Sequence, residues 1–312
     1  MAATPDTLYV VGGNACHRLE AGSGHVLADF VVPTDDDSEA RDWGYVAAVG
    51  DVLFGSTARA GAARSGHSKQ QISEAYYDAV PLVTSDSVFA FERHTGERCW
   101  QYRATAGAIV NATITIGGER LYFVESGNPE TLSKPSGRSK LKQLVASDQG
   151  ATVVALDTAD GSVAWQAPID LGSIEHHLFL SYARNKLIVV GTRNQTVGTR
   201  AFAWYDTHCV SAEDGKPIWT ATQNQRQSAG GSHGEQDHHP VIVGDTVYVE
   251  PYAYHLETGQ RTESWSLGRG GHGCGSISAS AKMCFFRAGN PTMCELASGT
   301  KTKVTQVSRP GC

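Results

Sequence analysis

Long apolar segments are missing from this sequence of 312 residues, and methionine and net charge are scarce. No run reaches the roughly 18 apolar residues of a membrane-spanning helix, so we expect no membrane span. Only 3 methionines stand beside 34 glycines, which favours tight turns over long helices. The formal charge of −6 argues against a nucleic-acid-binding surface, which needs a clustered basic excess.

The N-terminus shows no signal-peptide pattern. Met1–Asp6 has neither a basic n-region nor an apolar h-region, and the strand-like Leu8–Val11 follows at once. The 7 cysteines are too few to scaffold a chain of this length with disulfides. Their odd number leaves at least one thiol without a partner inside the chain. The disulfide state and the compartment therefore stay open.

One pattern recurs along the chain: an apolar strand, an acidic residue, a glycine and usually a tryptophan. The acidic side chain can accept hydrogen bonds from turn N–H groups, and glycine supplies a positive φ. The tryptophan should begin the outer strand, where its ring can fill the space between repeats. The six copies are Cys16–Glu20 with Gly24, Ser87–Glu92 with Gly96 and Trp100, Thr152–Asp157 with Gly161 and Trp165, Ala201–Asp206 with Gly215 and Trp219, Tyr252–Glu257 with Gly259 and Trp265, and Met293–Leu296 with Gly299.

A second hairpin precedes most copies, as in Tyr45–Phe54, Ala112–Val124 and Pro240–Val249. Two hairpins make four strands, which is one blade of a β-propeller. We therefore predict an all-β fold, a β-propeller of about six four-stranded blades in a single domain over residues 1–312. The approximate blades are 7–31, 43–105, 107–169, 175–225, 235–268 and 271–309.

Insertions and chain ends complicate this plan. Residues 58–86 and 126–149 are expected to interrupt the second and third blades between their two hairpins. Long loops of this kind are often functional, although a surface excursion would explain them equally well. The first blade is expected to lack its innermost strand, because nothing before Leu8 has a strand pattern. The chain ends where another blade would begin, which slightly favours an arc of a seven- or eight-bladed propeller over a closed ring.

The turn-and-tryptophan pattern resembles the PQQ (pyrroloquinoline quinone) repeat, in which Ala-Leu-Asp is followed by glycine and tryptophan. Ala155–Asp157 with Gly161 and Trp165 matches it closely. The segments Gly271–Gly275 and Phe285–Pro291 look like those of bacterial proteins with PQQ-like β-propeller repeats, whose chains continue further. By this resemblance, a periplasmic or cell-envelope location is consistent with the family.

The resemblance implies two functional classes. Quinoprotein dehydrogenases bind the quinone against adjacent disulfide-bonded cysteines, with calcium and an aspartate base, and this sequence has no adjacent cysteines. Scaffold proteins of the outer-membrane assembly type bind partners and no cofactor. The first hypothesis is therefore a non-enzymatic module that binds a protein or small ligand at one propeller face. The cofactor is unknown, and quinone is not supported.

Histidine and cysteine recur where three successive blades enter their innermost strands. Imidazole, thiolate and carboxylate groups meeting there could bind Zn, Cu or Fe. Alternatively, these polar groups simply line a water-filled channel. The second hypothesis is a metal- or quinone-dependent oxidoreductase, and no catalytic residue is assigned. The candidate metal ligands are His177, Glu235, His238, His239, His272 and Cys274.

Overall fold

The computed structural model describes eleven stretches of the chain. They are residues 1–34, 39–63, 81–146, 148–175, 177–197, 200–223, 227–228, 239–262, 267, 276–288 and 290–304. The chain divides into two compact units, Met1–His67 with Pro81–Ser173, and Ser68–Val80 with Ile174–Cys312. Within the described stretches, no helix has the length and apolar character needed to cross a membrane.

The first unit contains three blades of antiparallel strands. The first blade is β1 (Ala2–Ala3), β2 (Thr7–Gly12), β3 (Ala15–Glu20) and β4 (Val26–Val31). The second is β5 (Arg41–Val49), β6 (Val52–Arg59), β7 (Leu82–Glu92) and β8 (Arg98–Arg103). The third blade begins with β9 (Ile109–Val110), a 3-10 turn (Asn111–Thr113), β10 (Thr115–Gly117) and β11 (Arg120–Ser126). A connection follows that contains a second 3-10 turn (Pro129–Thr131), β12 (Arg138–Ser139) and a helical turn (Leu141–Leu144). The blade ends with β13 (Ala151–Asp157) and β14 (Val163–Ile169).

The second unit contains the remaining three blades. The fourth is β15 (Leu178–Ala183), β16 (Lys186–Val197), β17 (Arg200–Ser211) and β18 (Pro217–Thr222), with β19 (Gln227–Ser228) added beside β17. The described part of the fifth is β20 (Val241–Val243), β21 (Thr246–Val249) and β22 (Tyr252–His255). The sixth is β23 (Ser278–Ala279), β24 (Met283–Ala288), β25 (Asn290–Glu295) and β26 (Lys301–Lys303). The prediction of an all-β fold of four-stranded propeller blades is confirmed.

The same turn follows the third strand of every blade. A glycine N–H donates to the carbonyl oxygen of the residue four positions earlier, at 2.8 or 2.9 Å. Each glycine has a φ between 69° and 80°, which residues with a Cβ rarely adopt. The predicted turn is therefore present six times, although in the fourth and fifth blades Ser211 and His255 stand at the position of the predicted acidic residue. The six glycines are Gly24, Gly96, Gly161, Gly215, Gly259 and Gly299.

Two of the repeat tryptophans, Trp100 and Trp219, lie against the following blade, as predicted. Trp100, on β8, donates its indole N–H to the carbonyl oxygen of Thr158 in the third blade at 2.9 Å. Its ring lies against the turn glycine of that blade, because a Cβ on Gly161 would come within 2.6 Å of the indole. Trp219 lies in the same way against Gly259, where a Cβ would approach to 2.5 Å. Each glycine thus provides both the turn and the space for the preceding blade's ring.

The prediction that the first blade lacks its innermost strand is wrong. Ala2 and Ala3 pair with Tyr9 and Leu8 as β1. The backbone N–H of Thr4 then donates to the carbonyl oxygen of Thr7 at 2.9 Å and closes the turn into β2. Two alanines show no alternation of apolar and polar residues that would predict a strand. They can still pair with β2, because backbone hydrogen bonds do not depend on the side chains.

In the fourth repeat, the predicted alignment of the turn on the acidic residue Asp206 is wrong. The third strand continues past Asp206 to Ser211, and the Ser211 carbonyl oxygen accepts the Gly215 N–H at 2.9 Å. The Ser211 hydroxyl accepts a hydrogen bond from the N–H of Glu213 at 3.2 Å. Serine can cap a turn as aspartate does, so a pattern anchored on acidic residues misses this turn. Asp206 instead binds Arg193 at 2.5 Å.

Antiparallel order gives each blade two distinct ends. The hairpin turns lie at one, which we call the turn end. The connection from the second to the third strand lies at the other, the loop end. The predicted third-blade insertion lies at the loop end, between β11 and β13. The predicted second-blade insertion is flanked by β6 and β7, and its residues 64–80 lie outside the described residues.

The third-blade insertion is an ordered part of the first unit. Its β12 pairs with the start of β7, at Arg138↔Val83 and Ser139↔Leu82. Its helical turn buries Leu141 and Leu144 completely. The Arg138 Nε donates to the carbonyl oxygen of Ala62 at 2.6 Å. We call residues 126–150 the loop platform. Because it pairs with β7 and buries two leucines, it is more than a surface excursion.

Candidate functional site

A polar cleft lies at the loop end of the second blade, beside the loop platform. Its main cavity of about 90 Å³ is lined by Pro33, Thr34, Glu39, Arg41, Thr57, Asp86, Ser87, Gln101 and Arg103. A second cavity of about 10 Å³, close to the space one water fills, adds Arg59 and Lys134 to the lining. Arg41, Thr57 and Asp86 line both cavities. We call the two together the Arg41 cleft.

The strands of the second blade place these charges next to one another. Arg41 and Arg59 are cross-strand partners at the ends of β5 and β6. Arg41 binds Asp86 at 2.8 Å and Glu39 at 2.5 Å, and Arg59 binds Glu39 at 2.9 Å. Charge-assisted pairs of this kind fix the direction of the guanidinium groups.

Asp86 lies at an irregular point of the sheet. Ala58 pairs with Ser85 whereas Thr57 pairs with Ser87, so Asp86 is the extra residue between them. Such a bulge redirects a side chain, which here pairs with Arg41. Burial raises the pKa of Asp86, although Arg41 and Arg59 oppose that shift.

Two buried polar atoms of the cleft have no hydrogen-bond partner among the described residues. They are Nε of Arg59 and Oδ1 of Asp86. Buried donors and acceptors are normally satisfied, and water often supplies the missing bonds. The network therefore has bonding capacity beyond its internal ion pairs.

The Arg41 cleft is more positive than the protein as a whole. Arg41, Arg59, Arg103 and Lys134 supply four positive charges, and Glu39 and Asp86 supply two negative ones. The whole chain, by contrast, carries −6. Arg103 is exposed at the rim, where its planar guanidinium group could form two parallel hydrogen bonds to a carboxylate. The cleft is chemically suited to a carboxylate-bearing ligand.

Two of the predicted metal ligands belong to the described residues, and both contact Phe179 in the second unit. The ring centroids of His177 and Phe179 are 6.1 Å apart with nearly parallel planes, and those of Phe179 and His239 are 4.8 Å apart. His239 also makes a 2.8 Å hydrogen bond between its Nδ1 and the carbonyl oxygen of Pro240. The two imidazoles thus lie on one aromatic side chain at the entries to β15 and β20.

Burial lowers the pKa of His177 to about 4, so this imidazole is neutral at neutral pH. A neutral imidazole can bind a metal or remain an uncharged packed side chain. Glu235, His238, His272 and Cys274 lie outside the described residues. Where the structure does describe the chain, no group of three His, Cys, Asp or Glu side chains is arranged to hold a metal ion.

The residues of the Arg41 cleft were not among the sequence-predicted ligands. A partial signal for them exists, because extending the Tyr45–Phe54 hairpin outward brings Arg41 opposite Ala60, next to Arg59. The bulge between Trp43 and Tyr45 interrupts the strict pairing that this extension assumes. The position of Asp86 depends on a second bulge.

The repeated blades and their interlocking tryptophans define a β-propeller protein. A family profile described as outer membrane protein assembly factor BamB matches residues 6–181 and 133–274, most of the chain. The chain therefore belongs to this family of PQQ-like repeat proteins. A search of curated proteins finds no significant match.

Three solved structures resemble this chain, and the one with a TM-score above 0.5 supports the fold. The chain resembles BamB from Moraxella catarrhalis at 12% identity, covering 92% of this chain and 80% of that one, with a TM-score of 0.40. It resembles the quinohemoprotein alcohol dehydrogenase from Comamonas testosteroni at 12% identity and a TM-score of 0.52, covering 95% of this chain and 57% of that one. The enzyme ADHIIG from Pseudomonas putida HK5 matches at 10% identity with the same coverages and a TM-score of 0.47. At such identities the likeness concerns the fold alone.

The residues of this chain do not fit the quinone site of the dehydrogenase branch. The resemblance places the quinone of that branch against two adjacent cysteines, and the sequence has no such pair. The described cysteines lie on separate strands and are free: Cys16, Cys99, Cys209, Cys284 and Cys294. No reaction step through the quinone follows from these residues.

Proposed function

We propose that this chain is a non-enzymatic binding module that holds a protein or small ligand through a carboxylate in the Arg41 cleft. The observation that carries the proposal is the cationic surplus of this cleft in an acidic protein. Complementary charge steers a partner to its site and favours one sign of ligand over the other.

The loop platform supports the same proposal. Binding residues often lie on loops that a rigid scaffold positions. Here the platform's β12 is paired to β7, and Lys134 of the platform lines the cleft. A ligand that reaches from the main cavity into the second one would therefore contact both the blade and the platform.

Calorimetric titration with an acidic peptide, and separately with citrate as a small carboxylate, tests the proposal. Arg103→Gln should weaken binding by about 10-fold or more, because a hydrogen bond to a charged group contributes roughly 1.5–3 kcal/mol. Arg98→Gln is the matched control, since Arg98 is an exposed arginine of the same strand that does not line the cleft. Peptide binding alone indicates a protein partner, and citrate binding indicates a small ligand. Failure of both probes at millimolar concentration, or equal weakening by the two variants, would refute the proposal.

A metal-dependent oxidoreductase is the second candidate, because His177 and His239 flank the same Phe179 ring. Here metal analysis of the purified protein should find Zn, Cu or Fe, which His239→Ala should remove. His25→Ala, which changes an exposed histidine of the first unit, should leave the metal in place. A metal-free wild-type protein would remove this candidate and leave the binding module standing.

A further inference from the structure

Cys284 and Cys294 lie directly opposite each other on β24 and β25 of the sixth blade. Directly opposed residues of antiparallel strands have Cα atoms about 4.5–5.5 Å apart. Disulfide-bonded cysteines have Cα atoms about 4.4–6.8 Å apart. The backbone of the blade thus already holds the two residues at the separation that a disulfide requires.

The two side chains point to the same face of the blade. Alternation along β24 buries Cys284 and Phe286 and exposes Phe285 between them. Cys284 is 3% exposed and Cys294 is fully buried, and both pack in one cluster with Ile277 of β23's entry. After burial, Cys294 is among the causes that raise the pKa of the Cys284 thiol, and Cys284 in turn opposes the rise in the pKa of Cys294. The sulfur atoms are therefore neighbours.

No other described cysteine has this arrangement. Cys16 pairs across its strands with Val11 and Phe30. Cys209 pairs with Ile188 and Trp219, and Cys99 is exposed on β8. The sixth blade is thus the one place in the described chain where a cysteine faces a cysteine.

We propose that Cys284 and Cys294 form a cross-strand disulfide when the protein folds in an oxidising environment. The thiolate of one cysteine attacks a sulfur of an external disulfide, such as oxidised glutathione, and releases one reduced glutathione. The second cysteine then attacks the mixed disulfide and releases the second. The two protein thiols lose two electrons and two protons, and one glutathione disulfide becomes two thiols.

Burial determines when this exchange occurs. Desolvation raises the pKa of the Cys284 thiol to about 12 and also raises that of Cys294. Because the thiolate is the attacking species, exchange in the folded blade is slow. Oxidation therefore takes place during folding or blade opening, and the finished disulfide is shielded from reductants.

Refolding from urea in a mixture of oxidised and reduced glutathione tests the proposal. After alkylation and digestion, mass spectrometry should find one peptide pair cross-linked between Cys284 and Cys294. Alkylation of both thiols, or their pairing with Cys274 or Cys312 instead, would overturn it.

A stability measurement keeps the proposal testable by a second route. Protein refolded with oxidant should unfold at a higher urea concentration than protein refolded with reductant, because a cross-link restricts the unfolded chain. Cys284→Ala should abolish this difference, and Cys99→Ser should keep it. A difference that survives Cys284→Ala would assign the effect to another thiol and refute the pair.

Discussion

The two ends of the blades follow different rules. At the turn end, six glycines make the same hydrogen bond in the six blades, and Trp100 and Trp219 each lie against the turn glycine of the next blade. At the loop end, β7 of the second blade pairs with β9 and β12 of the third blade. Within the described residues, the fourth blade has no such pairing with a neighbouring blade. Repetition at one end thus stabilises the fold, and the other end varies from blade to blade.

The largest effect is expected from a substitution at the turn end. Trp100→Ala should lower the free energy of unfolding by about 3–5 kcal/mol, because it removes a buried ring and leaves a cavity. Trp100→Phe should lower it less, since it keeps an aromatic ring and loses the bond to Thr158. Urea unfolding followed by circular dichroism measures both. A loss below about 1 kcal/mol for Trp100→Ala would mean that blade packing does not depend on the ring.

The sequence indicates the turn end because its determinants are close together along the chain. A glycine and the residue four positions before it form the whole turn, so the pattern is recognised where that residue is acidic and is misaligned where Ser211 takes its place. The loop end depends on distant contacts, such as Arg138 with Ala62, which are 76 residues apart. No local pattern encodes such a pairing. The same holds for the Arg41 cleft, whose carboxylate Asp86 is positioned by a bulge.

A second substitution tests whether the loop platform unfolds separately from the turn end. Leu144→Ala should destabilise the loop platform by about 2–5 kcal/mol, because Leu144 is fully buried there. Hydrogen exchange should then quicken over residues 126–150, and the amides of the Gly161 turn should keep their protection. Leu27→Ala, at an exposed leucine of β4, should change neither region. Equal loss of protection at both ends would show that they unfold together.

The smallest effect concerns the pH dependence of the cleft. The raised pKa of Asp86 means that the folded protein holds its proton more tightly than the unfolded chain does. Its contribution to stability is therefore complete below the ordinary pKa of 3.8 and is lost as the pH rises through the folded-state pKa. The stability of the wild type relative to Asp86→Asn should fall between pH 3 and pH 7, in urea titrations at about five pH values. A relative stability that rises with pH would mean that the pairing with Arg41 outweighs burial.

The interlock between Trp100 and Gly161 is most directly tested by a double-mutant cycle. Gly161→Ala combines backbone strain with a collision against the indole, whereas Gly24→Ala meets nothing within 4 Å at a similar φ and reports strain alone. Strain of this kind costs about 1–2 kcal/mol. In the wild type, Gly161→Ala should lower the free energy of unfolding by clearly more than Gly24→Ala does. In the Trp100→Ala background, the two penalties should become equal. A Gly161→Ala penalty that is unchanged by the loss of Trp100 would contradict the interlock.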